Sequence, residues 1–360
     1  MEMNTDEKFM ARCLQLARMG RCGAAPNPMV GAVIVHDGRI IGEGYHIRCG
    51  GPHAEVNAVA SVRDERLLAS SVLYVSLEPC AHWGKTPPCA DLIIRKGIRR
   101  VVAGCIDPFE KVAGRGIQKL REAGVAVQTG VLENQCLWLN RRFFTYHTLH
   151  RPYVTLKWAQ SADGFIDAKR KDESATPFAF STPFTQILVH RMRAHNQAVL
   201  AGSRTALADN PLLTNRLWPG PQPLRLVIDR KGSLPASLHL FRGGNTRVYA
   251  DRCARTPDYA CQADVCVVRL DFRENVLGQI MNDLYNLGIQ SLLVEGGRET
   301  VEGFVAKDLW DEARLEISPV SLGAGVPAPT KPAGKTRMSF ADGHIILRIC
   351  SPKNRFAAGF

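Results

Sequence analysis

No apolar run in the sequence approaches the roughly 18 residues that a membrane-spanning helix needs; the longest, such as Val30–Val35, are strand-sized. The opening Met-Glu-Met-Asn-Thr-Asp-Glu is acidic and lacks the apolar stretch of a secretory signal. Internal repeats, low-complexity tracts and long blocks of like charge are also missing. Lys169-Arg170-Lys171 runs straight into Asp172-Glu173, which reads as a solvated loop rather than a nucleic-acid tail. No Gly-x-Gly-x-x-Gly follows a strand signal, which argues against a Rossmann dinucleotide site. Gly334-Lys335-Thr336 is no phosphate loop, because Pro329 stands where its first glycine belongs. The eleven cysteines are odd in number and scattered, so metal ligation or burial is expected in place of a disulfide framework. These absences describe a soluble chain, expected in the cytoplasm and without a membrane partner.

What is present is globular. The 360 residues suit two domains of about 100–200 residues each, and 45% are apolar against 22% charged. The net charge of +12 favours anionic partners, either nucleic acid or phosphorylated small molecules. Aromatic residues are not interleaved with a basic stripe, and this weighs against nucleic acid.

The first 135 residues alternate strand and helix signals. Asn4 with Glu7 forms a capping-box pattern ahead of Phe9, Cys13 and Leu16 at helical spacing. Val30–Val35, Asp37-Gly38 and Arg39–Gly42 read as a β-hairpin. A helix over His53–Ala60, a strand over Val72–Leu77, and a helix opened by Pro87-Pro88 and running towards Lys96 follow. Arg99–Cys105, Gly116–Ala123 and Val125–Thr129 continue as strand, helix and strand, implying a sheet with helices on both faces. The pattern restarts at Arg151–Lys157, which puts the boundary near His147–His150, with domains at 1–148 and 149–360. Strands are expected at Ala198–Ala201, Leu224–Ile228, Val265–Leu270, Ser291–Val294 and Arg314–Ile317, and helices at Pro183–Ala194 and Val276–Leu287.

Three pieces of the first domain carry chemistry: His53-Ala54-Glu55, Pro79-Cys80, and Cys89. Each of His53, Cys80 and Cys89 alone reads more readily as a buried side chain. Together, one imidazole and two thiolates are a ligand set for tetrahedral zinc with its fourth position open to water. Zinc lowers the pKa of that water towards neutrality. Glu55 is poorly placed to be a ligand and well placed to move the water's proton to a leaving amine, as in zinc-dependent nucleobase deaminases. An ideal helix would turn His53 and Glu55 about 200° apart, so His53 is expected at the helix start. A purely structural site would want a fourth protein ligand; His82 could supply one, but two residues from Cys80 is tight for chelation, and the open site is the preferred reading.

Pro26-Asn27-Pro28-Met29-Val30-Gly31-Ala32-Val33, Gly51-Pro52-His53-Ala54-Glu55 and Leu77–Cys89, with His82-Trp83-Gly84-Lys85-Thr86-Pro87-Pro88 between the cysteines, resemble the deaminase half of the bifunctional riboflavin-biosynthesis deaminase–reductases. Arg151–Asp167, Val189–Ala194, Gly202–Arg216 and Leu292–Gly297 resemble their reductase half. The resemblance implies a cytidine-deaminase-like three-layer α/β/α domain followed by a dihydrofolate-reductase-like α/β domain. It also implies zinc (Zn2+) and NADPH as cofactors and a phosphorylated pyrimidine as substrate. Carried over by position, Asn27, His46, His82 and Lys85 contact the substrate of the deaminase. Lys157, Arg193, Leu213, Arg216 and Glu295 hold the ribosyl phosphate in the reductase. Ala159, Thr205, Asp209 and the loop Gly297, Arg298, Glu299, Thr300, Val301, Glu302, Gly303 line the NADPH site. From charge alone, Lys85 and His46 suit a phosphorylated substrate, and a surface position for His46 is equally open.

The sequence departs from that family in three places. Ser161-Ala162-Asp163-Gly164 replaces Ser-Leu-Asp-Gly, Asp209-Asn210-Pro211 replaces Asp-Asp-Pro, and Pro177-Phe178-Ala179 stands where a Ser-Gln-Trp-type segment is usual. No contact is therefore assigned to Pro177–Phe180. The expected function is two-step: hydrolytic removal of the 2-amino group of a diamino-ribosylamino-pyrimidinone 5′-phosphate, then NADPH-dependent reduction of the ribosyl group to ribityl. The alternatives are a single-function zinc nucleoside or base deaminase with a degenerate second domain, and a nucleic-acid-binding or RNA-editing protein. A homo-oligomer is compatible with the sequence, which does not fix it.

Overall fold

The computed structural model describes residues 3–83, 87–108, 113–170 and 177–360. The chain divides into two compact units, Met1–Leu149 together with Ala358–Phe360, and His150–Ala357. The division falls one residue beyond the expected 148/149. The last three residues cluster with the first unit, where the Phe360 ring meets Trp138 edge to face at 5.3 Å.

The first unit runs α1 (Thr5–Met19), β1 (Gly31–His36), β2 (Arg39–Tyr45), α2 (Ala54–Ala60), β3 (Val72–Val75), α3 (Cys89–Arg95), β4 (Arg100–Ala103), α4 (Arg115–Glu122), β5 (Ala126–Thr129), α5 (Glu133–Leu139) and α6 (Arg141–Leu149). The capping box at α1 forms in both directions, with Asn4 Oδ1 accepting from the Glu7 N–H and Glu7 Oε2 from the Asn4 N–H, each at 2.9 Å. Asp37 and Gly38 both take positive φ, 46° and 73°, which closes the β1–β2 hairpin as a two-residue turn. The prolines before α3 lie just outside it: Pro88 is its N-cap and Cys89 its first residue. The described strands order as β2-β1-β3-β4-β5, with β3, β4 and β5 parallel.

Alternation along β1 explains why helices cover both faces of this sheet. Ala32 and Ile34 join a buried cluster with Ala54 and Ala58 of α2 and Ala90 and Ile93 of α3. Gly31, of the opposite parity, lies so close to the Cys13 carbonyl of α1 that a Cβ would not fit. Tyr74, on that same face, packs its ring on Phe9 at 5.1 Å and donates to Asp6. The α/β/α layering expected from the sequence is present.

The second unit runs β6 (Tyr153–Gln160), β7 (Phe165–Ala168), α7 (Pro183–Ala194), β8 (Ala198–Gly202), α8 (Ser203–Asp209), β9 (Leu224–Ile228), β10 (Thr246–Asp251), β11 (Val265–Leu270), α9 (Val276–Asn286), β12 (Ser291–Val294), α10 (Arg298–Ala306), β13 (Glu312–Ile317), β14 (Gly325–Pro327), β15 (Lys335–Ala341) and β16 (His344–Cys350). The main sheet orders as β11-β10-β9-β8-β12-β6-β13-β16-β15, parallel from β11 to β13, with β16 antiparallel to both β13 and β15; β7 and β14 pair separately. Gly334-Lys335-Thr336 enters strand β15, in keeping with its rejection as a phosphate loop. One parity of the central strands (Leu156, Trp158, Leu200, Val294, Ala313, Leu315) forms the main core with Ile280 of α9 and Phe304 of α10. The other parity includes Val199, Ala201 and Leu293, packed with Leu213 and with Met192 of α7. Lys157, Ala159, Arg314 and Glu316 share that second parity and hence that face.

Candidate functional site

His53 is the N-cap of α2, extended at φ −74° and ψ 167°, and makes no side-chain cap bond. That conformation frees its imidazole from the helical rotation, as the sequence required. Cys80 follows β3 through Ser76–Pro79, and Cys89 opens α3. The ligand atoms of His53, Cys80 and Cys89 all lie within 4.8 Å of one another. His53 Nδ1 is 3.5 Å from Cys80 Sγ and 3.4 Å from Cys89 Sγ. A tetrahedral zinc with Zn–S near 2.3 Å and Zn–N near 2.1 Å would set these separations at roughly 3.6 Å. The donor set and its spacing fit zinc. The Cys89 N–H donates to Cys80 Sγ at 3.3 Å, and the Cys89 thiol and His53 add hydrogen bonds that hold the Cys80 thiol below its ordinary value.

Glu55 lies in the first turn of α2 and is 3% exposed. Burial pushes its carboxyl up to about 7, the neighbouring Cys80 thiolate adds to the rise, and His53 opposes it. A carboxyl poised near neutrality suits a proton carrier. His46, for which a surface position stood open, is instead 2% exposed. Its Nδ1 meets the Pro52 carbonyl at 3.0 Å and its Nε2 meets Asn27 Nδ2 at 3.1 Å. These partners require Nδ1–H to donate and Nε2 to accept, which fixes the neutral tautomer. The His46 ring also meets His53 edge to face at 5.3 Å. His82 is half-buried, and Lys85 lies outside the described residues.

Two positioning residues escaped the sequence reading. Asn140 accepts from the Met29 N–H and donates to the Met29 carbonyl, both at 2.8 Å, pinning the Asn27 segment. Glu78 is buried, and its carboxylate accepts from four backbone N–H groups: Asp107 at 3.2 Å, Gly114 and Gly116 at 2.9 Å, and Ile117 at 3.3 Å. It thus caps α4 and fixes the strand end that leads to Cys80. A Cβ at Gly116 would overlap the Pro79 carbonyl, so only glycine allows α4 this close. The local signal for Glu78 was its place beside Pro79-Cys80; Asn140 had none.

In the second unit the expected substrate residues converge on one face. Arg193 holds Glu295 in a two-pronged ion pair, Nε to Oε1 at 2.7 Å and Nη2 to Oε2 at 2.8 Å, and donates to the Thr214 carbonyl at 3.0 Å. Burial alone would raise the Glu295 carboxyl, but Arg193 and Lys157 hold it below its ordinary value. Burial lowers the Lys157 ammonium, against the pull of Glu295 and Glu316. Leu213 is 2% exposed, adopts a positive φ of 53°, and packs with Val199, Ala201 and Leu293 of this face. The exposed Arg216 is tied in through its backbone, whose N–H donates to His190 Nδ1 at 2.8 Å. His190 is buried and was not anticipated.

The expected cofactor residues need a correction of form. The stretch from residue 298 is helix α10, with Gly297 as its N-cap, because glycine and the following Arg-Glu-Thr turn can start a helix directly behind β12. The side chain of Val301 is fully buried in the core, so only its backbone could face a ligand. Arg298 pairs with Glu302, Glu299 pairs with Arg204, and Gly303 faces Leu277 of α9. A Cβ at Gly202 would stand 2.6 Å from Thr300 Oγ1, and one at Gly297 3.1 Å from Thr205 Oγ1. These close approaches bring the end of β8 and the start of α8 against the start of α10, whose N-cap Gly297 makes no side-chain cap bond. Asp209 is bound by Arg170 at 2.9 Å. Arg170, expected in a solvated loop, is 16% exposed and also pairs with Asp167. Ala159 is half-buried, next to Glu316 of β13 in the ladder.

Residues 3–105 match the family model of the cytidine and deoxycytidylate deaminase zinc-binding region, and residues 152–345 that of the RibD C-terminal domain. The riboflavin biosynthesis protein RibD of Aquifex aeolicus is 37% identical over 324 residues, 89% of each chain. Its Escherichia coli counterpart is 37% identical over 337 residues, again 89% of each. A solved Thermotoga maritima structure, described as a diaminohydroxyphosphoribosylaminopyrimidine deaminase/5-amino-6-(5-phosphoribosylamino)uracil reductase, shares 38% identity. It superposes with a TM-score of 0.84, covering 96% of this chain and 98% of that one.

Proposed function

Because the chain belongs to the RibD family of riboflavin biosynthesis proteins, we propose that its residues 1–148 carry out the deamination and residues 149–360 the reduction. The protein is a bifunctional deaminase and reductase that uses zinc and NADPH. Its substrate on this reading is 2,5-diamino-6-ribosylamino-4(3H)-pyrimidinone 5′-phosphate, and its site of action is the cytoplasm. No described helix is long and apolar enough to cross a membrane. The observation that carries the reading is the meeting of His53, Cys80 and Cys89 beside the buried Glu55.

In the deaminase, His53, Cys80 and Cys89 hold zinc, which supplies a Lewis acid able to lower the pKa of water towards neutrality. Glu55 takes the attacking water's proton on its carboxylate and delivers it to the departing amine, so that ammonia leaves. Asn27 and His46 orient the pyrimidine, with the His46 tautomer set by Pro52; His82 and Lys85 complete the contacts. Reduction requires hydride at the ribosyl C1′, which NADPH supplies when held by Ala159, Thr205, Asp209 and the start of α10. Lys157, Arg193 and Arg216 neutralise the ribosyl phosphate, Glu295 accepts from sugar hydroxyls, and Leu213 packs beneath.

The test is to give the purified protein the ring-opened pyrimidine phosphate with and without NADPH. Ammonia release without NADPH, and NADPH oxidation only after deamination, is the expected result. Deamination with no NADPH oxidation on the deaminated compound would turn the reading to a single-function deaminase.

A further inference from the structure

Beside the reductase residues already named lies a guanidinium that nothing in that assignment uses. Arg314 of β13 pairs in the ladder with Lys157 of β6 and points to the same face. It is 8% exposed, and its hydrogen bond is to Met192 Sδ at 3.0 Å, a weak acceptor on the helix that carries Arg193. No carboxylate among the described residues lies within ion-pair distance of it. The two carboxylates on its own strand face are engaged elsewhere: Glu316 Oε1 takes a hydrogen bond from His344 Nδ1 at 2.9 Å and its Oε2 one from Ser181 Oγ at 3.1 Å, and Glu312 Oε1 accepts from Arg348 Nη2 at 2.8 Å. Glu295 is likewise taken by both prongs of Arg193.

A buried guanidinium without an anion is strongly disfavoured, because its desolvation goes uncompensated. Five N–H donors with one thioether partner leave most of its bonding capacity for something else. The face it shares carries Lys157, Arg193, Arg314 and its ladder partner Arg348, four cations, against three carboxylates already engaged, Glu295, Glu312 and Glu316. We propose that Arg314 is a further substrate-binding residue of the reductase, taking an oxygen of the substrate's phosphate group together with Lys157. This rests on the reductase reading above. The planar fork suits a phosphate, which accepts two parallel N–H bonds.

The test uses the full chain as wild type, Arg314→Gln and Arg314→Lys, with the phosphorylated ribosylaminouracil and the same compound lacking its 5′-phosphate. Arg314→Gln is expected to lower kcat/KM for the phosphorylated compound by roughly 10- to 150-fold, the worth of a charge-assisted hydrogen bond. For the compound without phosphate the two proteins should agree within about threefold, the scatter expected when no charged bond is at stake. Arg314→Lys should recover part of the loss, and NADPH affinity, followed by protein fluorescence, should stay that of wild type in both variants. Equal loss on both compounds, or loss of NADPH binding alongside, would mean that Arg314 only supports the fold, and would overturn the inference. Wild type that oxidises no NADPH with either compound would instead remove the reductase reading itself, and this inference with it.

Discussion

The Arg193–Glu295 pair offers a way to separate holding the fold from holding the substrate. Its side chains are 12% and 10% exposed, and both prongs are short. Removing one member of a buried pair typically costs about 3–5 kcal/mol, because the other charge is left without compensation. Partial exposure puts Glu295→Leu and Arg193→Met near the lower end, about 3 kcal/mol each. At roughly 2–4 °C per kcal/mol for a unit of this size, each should lower the reductase melting transition by about 6–12 °C. The double variant removes both charges, yet Lys157 then keeps only Glu316 as a neighbouring anion. Its cost should therefore be about 1–2 kcal/mol, well short of the roughly 6 kcal/mol that additivity would give. The Glu295 contribution also has a pH signature. A carboxyl held below its ordinary value stabilises fully above the unfolded pKa of about 4.3 and loses that stabilisation as pH falls through its folded value. The deficit of Glu295→Leu should thus shrink in acid. Differential scanning calorimetry reads the stabilities, NADPH oxidation reads reduction, and ammonia release is the internal control. The double variant should regain stability without regaining reduction. Additive losses would refute the coupling, and recovered reduction would refute the substrate role.

Three other outcomes follow from the deaminase geometry. Elemental analysis should find about one zinc per chain, as a three-ligand catalytic site implies; zinc retained in a Cys80→Ser, Cys89→Ser double variant would defeat the ligand assignment. Glu55→Gln should keep zinc and lose ammonia release by roughly 10²–10⁴-fold, while still oxidising NADPH on the already deaminated substrate; near-normal ammonia release would move the proton transfer to another residue. Glu78→Ala leaves four backbone donors without their acceptor, and should cost the deaminase about 3–5 kcal/mol by chemical denaturation. A change under 1 kcal/mol would show that those amides find other partners.

How much was legible depended on whether the signal was local. The first hairpin was plain because Asp37-Gly38 sits between apolar runs; the second, β15–β16, closes on Asp342-Gly343 with the same positive φ values, 51° and 79°. It went unread because its outer strand is almost wholly exposed, Met338 and Phe340 included, and mixes polar with apolar residues. Strand β10 hid for the opposite reason. Its Arg247 and Tyr249 side chains are satisfied by Asp283 of α9, at 2.6–2.9 Å, so a buried strand carries a polar sequence. The zinc ligands were readable because they are distinctive residue types at the start of α2, just past β3 and at the start of α3, within one continuous stretch of the chain. Lys157 and Arg314 come from two strands, Arg193 from a helix and Glu295 from the residue just past β12, and only the sheet order makes them neighbours.

The three departures from the family pattern look independent in the sequence, but two of them share a network in the structure. Asp167 accepts from the Phe178 N–H at 2.9 Å, in the altered segment, and pairs with Arg170. Arg170 in turn donates to the Ala208 carbonyl at 2.7 Å and to Asp209 at 2.9 Å, next to the altered Asn210. Asn210 sits in the left-handed region at φ 41°, a conformation asparagine tolerates better than most residues, and accepts from the His239 N–H at 2.7 Å. Just past the altered segment, Ser181 donates to Glu316 of β13 at 3.1 Å. The changed segment and the changed turn are thus joined through Asp167 and Arg170. Residues in one hydrogen-bond network couple energetically, so substitutions at Phe178 and Asn210 are expected to be non-additive in stability, and additive losses on denaturation would show that the network does not link them.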